Sequence, residues 1–355
     1  MAVKRTKSVC DIGNQVVART VISDNGKAHL EPALLALDWG TSCLRAYLMD
    51  RSGKVIDQRE SAHGIQNLPD QGVRGFETAF AGICGDWIGR WQSLPVVAGG
   101  MVGSAQGWKE APYVACPADP HMLAAHAVSV DNGLGSRILI APGVLYDPVD
   151  ASPDVMRGEE IQIAGALAPH PSWSRRACIA LPGTHSKWVR IADGCIVQFA
   201  TYMTGELFAL LCRHSILARL MTESGPVDAG EADAAFAKGI AEAQSSLPGD
   251  LPHQLFATRS LGLTHRLRSS VLKNYLSGLL IGHELFSALH RMHGSLTSGT
   301  PLLLIGEATL CRSYAKALAI LGVTPAALLE NTAPQGLFQF AVAAGAITRP
   351  AVVND

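Results

Sequence analysis

The sequence predicts an α/β protein made of two structurally similar halves. Three observations carry that expectation. Short apolar runs that end in Gly alternate with longer stretches of helical spacing, so strands and helices are mixed along the chain. A unit of strand, Gly-Thr loop, strand, tight turn and strand occurs twice, opened by Ala36-Leu37-Asp38-Trp39-Gly40-Thr41 and by Ala180-Leu181-Pro182-Gly183-Thr184. The chain has 355 residues, and at roughly 150 residues per domain this length accommodates two.

Residues 1–33 read as an N-terminal extension, polar, with Asp24-Asn25-Gly26 as a turn. Ala33 to Leu37 is a short continuous apolar run that fits a buried strand. Leu44 to Met49 is the second strand, Asp50-Arg51-Ser52-Gly53 the hairpin turn, and Lys54 to Arg59 the third strand. The second unit runs through Cys178–Leu181, Trp188–Ile191, the turn Ala192-Asp193-Gly194 and Cys195–Tyr202. Between the units, Ile161, Ile163, Ala164 and Leu167 mark a helix whose first turn carries Glu159 and Glu160. Leu272, Tyr275, Leu276, Leu279, Phe286 and Leu289 share one helical stripe, with Ser270 as the expected N-cap and Gly294 as the stop. Gly278 and Gly282 interrupt it, and a glycine there weakens a helix by ~1 kcal/mol relative to Ala. Such a residue marks close approach of another backbone or a ligand. Ser295 to Thr300 is a linker turn, Pro301 to Gly306 a strand, and Leu310 to Leu321 a last helix stopped by Gly322.

Composition narrows the function. Hydrophobic residues make up 48% and charged ones 17%, which excludes intrinsic disorder. A net charge of -1 argues against nucleic acid or an anionic membrane as partner, since those need clustered positive charge. The eight cysteines show no C-x-x-C or zinc spacing and read as reduced thiols of a cytoplasmic protein. No apolar run reaches the ~18 residues of a membrane span.

The chemistry-bearing residues gather at the two Gly-Thr loops. In the first, a buried strand ends in Asp38, then Gly40, Thr41 and Ser42, then Arg45. Gly lets a polyphosphate approach the backbone, and N–H groups and hydroxyls bind its oxygens. Asp38 can hold Mg²⁺, which prefers oxygen ligands and keeps several waters. The second loop repeats this logic with Gly183, Thr184, His185 and Lys187. Two such loops facing each other across a cleft would clamp a nucleotide. No G-x-x-x-x-G-K-[ST] and no G-x-G-x-x-G occurs, so neither a Walker loop nor a dinucleotide fingerprint is present. Gly103, Ser104, Trp108 and Tyr113 form a small-polar and aromatic cluster suited to a polar ligand, although a Gly-rich loop packed by a core Trp reads the same way. Arg157 can pair with a carboxylate, and Lys109-Glu110 reads as a solvated rim.

The Gly-Thr hairpins, with Gly306 opening a late helix, resemble the phosphate and adenosine segments of the actin/Hsp70/sugar-kinase superfamily. More specifically, the chain resembles the 2-dehydro-3-deoxygalactonokinase family. The matching stretches are Leu37–Ala46, Gly100–Ser104, Gly107–Tyr113, Val155–Glu160, Pro182–Val189, Met203–Leu207 and Leu276–Gly282. The resemblance implies two ribonuclease-H-like, actin-like ATPase domains with a central cleft: residues 34–170 with the substrate pocket, and 171–355 with the nucleotide site. It implies ATP and Mg²⁺ as cofactors and phosphorylation of 2-dehydro-3-deoxy-D-galactonate to its 6-phosphate in galactonate catabolism. The implied partner is that small sugar acid, and a homodimer is compatible with it. The nucleotide would be held by Gly40, Thr41, Ser42, Arg45, Gly183, Thr184, His185, Lys187, Gly278 and Gly306. The sugar acid would be held by Gly103, Ser104, Trp108, Tyr113, Arg157, Glu159, Thr204 and Gly205. A kinase of the same fold for another sugar or sugar acid, or a non-kinase actin-like ATPase, is the alternative.

The catalytic base stays open at this stage. Many kinases of the superfamily carry an Asp at the start of the second phosphate loop, whereas this chain has Leu181-Pro182-Gly183 there. Glu160 is the preferred base, Glu159 a substrate or second contact, and Glu206, His185 and Asp38 the other candidates, with Asp38 assigned to the metal.

Overall fold

The protein is described by a computed structural model covering residues 17–19, 31–221, 227–292 and 299–348. The chain divides into two compact units. One contains residues through Ser174, Gly194–Val197 and everything from Thr332 onward; the other contains Arg175–Asp193 and Gln198–Asn331.

The first unit is built on a seven-stranded sheet. Its elements are β1 (Val17–Arg19), β2 (Pro32–Trp39), β3 (Leu44–Asp50), β4 (Val55–Ser61), α1 (Gly72–Arg90), β5 (Val96–Gly99), β6 (Tyr113–Ala115), α2 (Pro120–Ala125), β7 (Val128–Asp131), β8 (Arg137–Ile140), β9 (Gly143–Tyr146), β10 (Asp154–Met156) and α3 (Glu159–Leu167). The strand order is β1-β4-β3-β2-β5-β8-β7, and β10-β9-β6 form a small separate sheet. β3 is antiparallel to both β2 and β4, while β2, β5 and β8 run parallel. The hairpin turn forms as expected: the Asp50 carboxylate accepts the amides of Ser52 at 2.8 Å and Lys54 at 3.0 Å. Helix α1 lays Phe76, Phe80, Ile83 and Trp87 on Leu35, Leu37 and Leu44 of the sheet. Each such large side chain contributes about 1.5–3 kcal/mol on burial.

The second unit begins after α4 (Pro171–Arg175). It holds β11 (Arg176–Leu181), β12 (Ser186–Ala192), β13 (Cys195–Tyr202), α5 (Thr204–His214), α6 (Ala229–Gln244), α7 (Leu251–Leu263), α8 (Leu272–Arg291), β14 (Leu302–Ile305), α9 (Ala308–Ile320) and β15 (Ala327–Leu329). Its sheet runs β13-β12-β11-β14-β15, with β11 antiparallel to β12 and parallel to β14, which is parallel to β15. The core strands of both sheets therefore share one order, third-second-first-fourth-fifth, with the second strand reversed. This is the ribonuclease-H-like topology, and it confirms the internal repeat. The turn Asp193-Gly194 takes positive φ at both residues, 50° and 79°, as a two-residue hairpin requires.

Three expectations need correction. The division falls after Ser174 rather than at residue 170, and α10 (Ala333–Ala343) returns to the first unit. Leu337, Phe338 and Phe340 of α10 are buried there, and a Cβ at Gly336 would lie 1.8 Å from the Ile161 carbonyl oxygen. The expected N-cap Ser270 sits inside a 3₁₀ turn, Ser269–Val271, and the cap position falls on Val271 without a side-chain bond. Within the expected N-terminal extension, Val17–Arg19 pairs with β4. Gly294, most of the expected linker turn and the Asp24-Asn25-Gly26 turn lie outside the described residues.

Candidate active site

The first Gly-Thr loop follows β2, whose register opposes Asp38 to Arg45 on β3, which in turn opposes Glu60 on β4. The hairpin thus lines three charges across three strands. Arg45 Nη1 reaches Asp38 Oδ2 at 3.4 Å, and its Nε and Nη2 lie 3.1 Å from Glu60 Oε1. Burial pushes the Asp38 carboxyl above its ordinary range against the pull of Arg45, and the Glu60 charge adds to the rise. The Asp38 side chain remains 24% exposed, so a ligand can reach it. The loop closes with the Gly40 amide on the Cys43 carbonyl at 2.9 Å. It leaves Thr41 partly exposed and Ser42 exposed. Gly64 lies beneath it: a Cβ there would come within 2.4 Å of Thr41, Ser42 and Cys43 backbone atoms.

At the neighbouring end of β5 the chain turns at Gly100, with φ 93°. A Cβ at Gly100 would lie 2.8 Å from the Trp39 carbonyl oxygen and 3.7 Å from Asp38 Oδ1. A Cβ at Gly158 would lie 3.3 Å from the Gly100 Cα. Gly100 therefore separates Asp38 from the Arg157-Gly158 turn by little more than its own backbone. Arg157 stacks on Tyr113, its guanidinium carbon 4.4 Å from the ring centre, and donates from Nη2 to the Ala111 carbonyl at 2.8 Å. Its Nε and Nη1 are buried and have no acceptor among the described residues, and the same holds for Ser104 Oγ. A Cβ at Gly103 would meet Arg157 Nη1 at 3.1 Å, so Gly103 makes room for the guanidinium.

Trp108 belongs to the core. Its ring stacks on Phe76 with centroids 5.6 Å apart and meets Trp39 edge-on at 5.8 Å. Only its Nε1, also without an acceptor among the described residues, is left for a ligand. Lys109 donates to the Ser129 carbonyl at 3.0 Å as an exposed rim residue. Glu160, the preferred base, needs correction. It is 1% exposed, and both its oxygens accept the Gly158 amide, at 2.9 and 2.7 Å. This carboxylate reaches back over the start of α3 and holds the Arg157-Gly158 turn; it does not face outward as a base would. Glu159 accepts the Arg157 amide at 3.1 Å. A cavity of about 200 Å³ lies along one face of α3, lined mainly by apolar side chains such as Leu123, Ile163, Leu167 and Ile196. Glu160 alone of the expected site residues touches it.

In the second unit the Gly183-Thr184-His185 loop follows β11. A Cβ at Gly183 would meet nothing within 4 Å, and Thr184 and His185 are exposed. The first turn of α5 backs this loop. Gly205 is required there, since its Cβ would lie 2.3 Å from the Gly183 carbonyl oxygen. The Glu206 amide donates to the Thr184 carbonyl at 3.0 Å, and the Glu206 carboxylate meets His185 Nε2 at 2.5 Å. Gly306, φ 152°, joins the loop from β14, its Cβ position 3.2 Å from the Pro182 carbonyl oxygen. Glu307 caps α9 through the Thr309 and Leu310 amides.

Four expected contacts change role. Lys187 is 4% exposed and donates to the His185 carbonyl at 2.9 Å, so it braces the loop from within. Gly278 faces α6, where its Cβ would lie 2.0 Å from the Phe236 carbonyl oxygen, and serves helix packing instead of a nucleotide. Thr204 is buried beside Glu284, and Gly205 packs against the Gly183 carbonyl, so both serve the loop. Sequence reasoning missed Gly64, Glu60 and Glu284. Glu60 opposes Arg45 only because the β3–β4 register shifts between Leu48 and Met49; the turn alone would pair Arg45 with Arg59, and nothing local in the sequence announces the bulge. Gly64 and Glu284 carry no local signal.

The chain matches the family model described as 2-keto-3-deoxy-galactonokinase over residues 38–340. It is 35% identical over 301 residues to the 2-dehydro-3-deoxygalactonokinase of Escherichia coli K12, covering 85% of this chain and 94% of that protein. It is 38% identical over 254 residues to a Rhizobium meliloti protein named "Probable 2-dehydro-3-deoxygalactonokinase DgoK1", covering 72% of this chain and 79% of that one. A crystal structure from Sinorhizobium meliloti, of a candidate 2-dehydro-3-deoxygalactonokinase, aligns with a TM-score of 0.74 at 33% identity, over 87% of this chain and 98% of that one.

Proposed function

We propose that this chain, which belongs to the 2-keto-3-deoxy-galactonokinase family, transfers a phosphoryl group from ATP to the terminal hydroxyl of 2-dehydro-3-deoxy-D-galactonate, a step of galactonate catabolism. The observation that carries the acceptor is Arg157. Two of its guanidinium nitrogens are buried without acceptors among the described residues, and buried donors left unpaired cost free energy that a ligand can recover. A carboxylate can accept from one of these nitrogens together with the second Nη2 hydrogen, the pair that shares an edge of the guanidinium, so the acid end of the sugar is the fitting occupant. Tyr113 holds the guanidinium plane from below, and Ser104 adds a hydroxyl. Glu159 and Glu160 fix the turn that presents Arg157.

Phosphoryl transfer is mostly positioning and charge neutralisation. The donor set at Asp38 suits Mg²⁺, which takes one or two carboxylates plus phosphate oxygens and keeps waters. Among the described residues no cluster of three or more His, Cys, Asp or Glu is placed to hold a metal. Bound there, Mg²⁺ would supply charge neutralisation at the transferring phosphoryl group. Asp38 is also the carboxylate we assign to the acceptor hydroxyl. Thr41 and Ser42 of the first loop, and Gly183, Thr184 and Gly306 of the second unit, are the proposed phosphate and nucleotide contacts. His185 and Glu206 form an exposed pair at that loop. We place the activity in the cytoplasm, where ATP is supplied; no disulfide forms among the described residues, and no described helix is long and apolar enough to cross a membrane.

A coupled assay with ATP, Mg²⁺ and a panel of 2-keto-3-deoxy acids beside neutral sugars tests this. Turnover is expected with the six-carbon keto-deoxy acids. Equal turnover of a neutral sugar would remove the role given to Arg157. Asp38→Asn is expected to lower kcat on the order of a hundredfold or more with little change in Tm. A variant that turns over normally would exclude Asp38 from the chemistry.

A further inference from the structure

Behind the second Gly-Thr loop lies a buried carboxylate that the proposed mechanism does not use. Glu284 enters from the middle of α8 and is 2% exposed. Trp188 Nε1 donates to its Oε1 at 2.8 Å, and the Tyr314 hydroxyl donates to its Oε2 at 2.7 Å. The hydroxyls of Thr204 and Ser186 also favour its ionised form, and Ser186 Oγ stands 3.1 Å from the Tyr314 oxygen. A carboxylate taken from water needs this number of donors to remain inside.

The donors are not scattered. Ser186 is the residue at which the loop enters β12. Thr204 is the first residue of α5, whose next two residues back the loop through the Gly205–Gly183 approach and the Glu206 amide on Thr184. The exit of the loop and the turn behind it therefore meet at one buried carboxyl group, which Trp188, two residues further along β12, and Tyr314 of α9 also hold. We propose that Glu284 is a positioning residue for the second Gly-Thr loop, setting the placement of Gly183, Thr184 and His185 through Ser186 and Thr204. Its role in turnover rests on the reading of that loop as a nucleotide contact.

The experiment pairs Glu284→Gln with Tyr314→Phe. A Gln amide keeps one acceptor oxygen for Trp188 and turns its NH₂ toward the Tyr314 hydroxyl, which must then accept instead of donate, so the charge and the donor order of the shell are lost. Tyr314→Phe keeps the carboxylate and removes one donor. Amide hydrogen exchange is measured on the ligand-free full chain, and KM for ATP and for the sugar acid on the same preparations. The expected result is exchange faster on the order of tenfold over residues 183–187, with exchange in the first unit unchanged. KM for ATP should rise by a similar factor while KM for the sugar acid stays put. A merely destabilised protein would lose active fraction and lower Vmax without moving either KM. Faster loop exchange with an unchanged KM for ATP would uphold the positioning role and reject the loop as a nucleotide contact. If Glu284→Gln loosens the whole chain, Tyr314→Phe decides by the same readouts. Loop exchange unchanged in the variant that stays folded would overturn the proposal.

Discussion

The Glu160 carboxyl is pushed up to about 8, first by burial and then by the charge of Glu159, while the Gly158 amide and Arg157 pull the other way. The folded protein therefore keeps a proton there across a range where the unfolded chain, near its ordinary 4.5, has released it. The stability that proton gives is complete below about 4.5 and is lost as pH rises through about 8. Gln has the shape of the neutral acid and does not titrate. Glu160→Gln should hold its Tm better than the parent between pH 5 and 9, with a gap on the order of a few kcal/mol at the alkaline end. Parallel Tm–pH curves would contradict the buried, protonated state. Because both oxygens are occupied by Gly158, the same variant should lose far less turnover than Asp38→Asn. Equal losses would restore Glu160 as the base.

Glycines separate the elements that bind from those that pack. Gly183 has open space where a Cβ would project, whereas the Cβ of Gly278 would collide with the α6 backbone at Phe236. Gly183→Val should leave Tm nearly unchanged and weaken ATP binding by about tenfold or more, read by calorimetry with MgADP. Gly278→Val should do the reverse, lowering stability by about 1–3 kcal/mol or more through overpacking and leaving nucleotide affinity intact in whatever fraction stays folded. A loss of affinity in Gly278→Val without a loss of Tm would return that glycine to the nucleotide. The apolar stripe of α8 was legible because helix spacing is a local property. Whether its glycines met a backbone or a ligand was not, since Phe236 lies about 40 residues away in sequence.

At the scale of the molecule, the first unit is closed by the end of the chain. Helix α10 buries Leu337, Phe338 and Phe340, and the Phe338 ring lies over Gly53 at the β3–β4 turn, where a Cβ would come within 2.9 Å. Thr332 Oγ1 donates to the Gln162 carbonyl of α3 at 2.7 Å. Losing these side chains removes about 1.5–3 kcal/mol each from a net stability of about 5–15 kcal/mol. A chain ending at Asn331 should therefore fail to fold its first unit, seen as loss of the cooperative thermal transition and as dye binding to exposed apolar surface. A truncated chain with an unchanged transition would show that α10 is dispensable.

The sequence by itself determined the α/β class, the repeated strand–loop–hairpin unit, the hairpin turns at Asp50–Gly53 and Asp193-Gly194, and the first loop with Asp38 at its head. Each of these is written in a few consecutive residues, through apolar runs, turn chemistry and glycine placement. Only the tertiary structure decided that Glu160 turns back on Gly158, that Lys187 braces its own loop, that Gly64 and Glu284 lie behind the two loops, and that α10 belongs to the first unit. Those outcomes depend on which distant backbone or donor a side chain meets once it is buried, and burial is decided by packing between elements far apart in the chain.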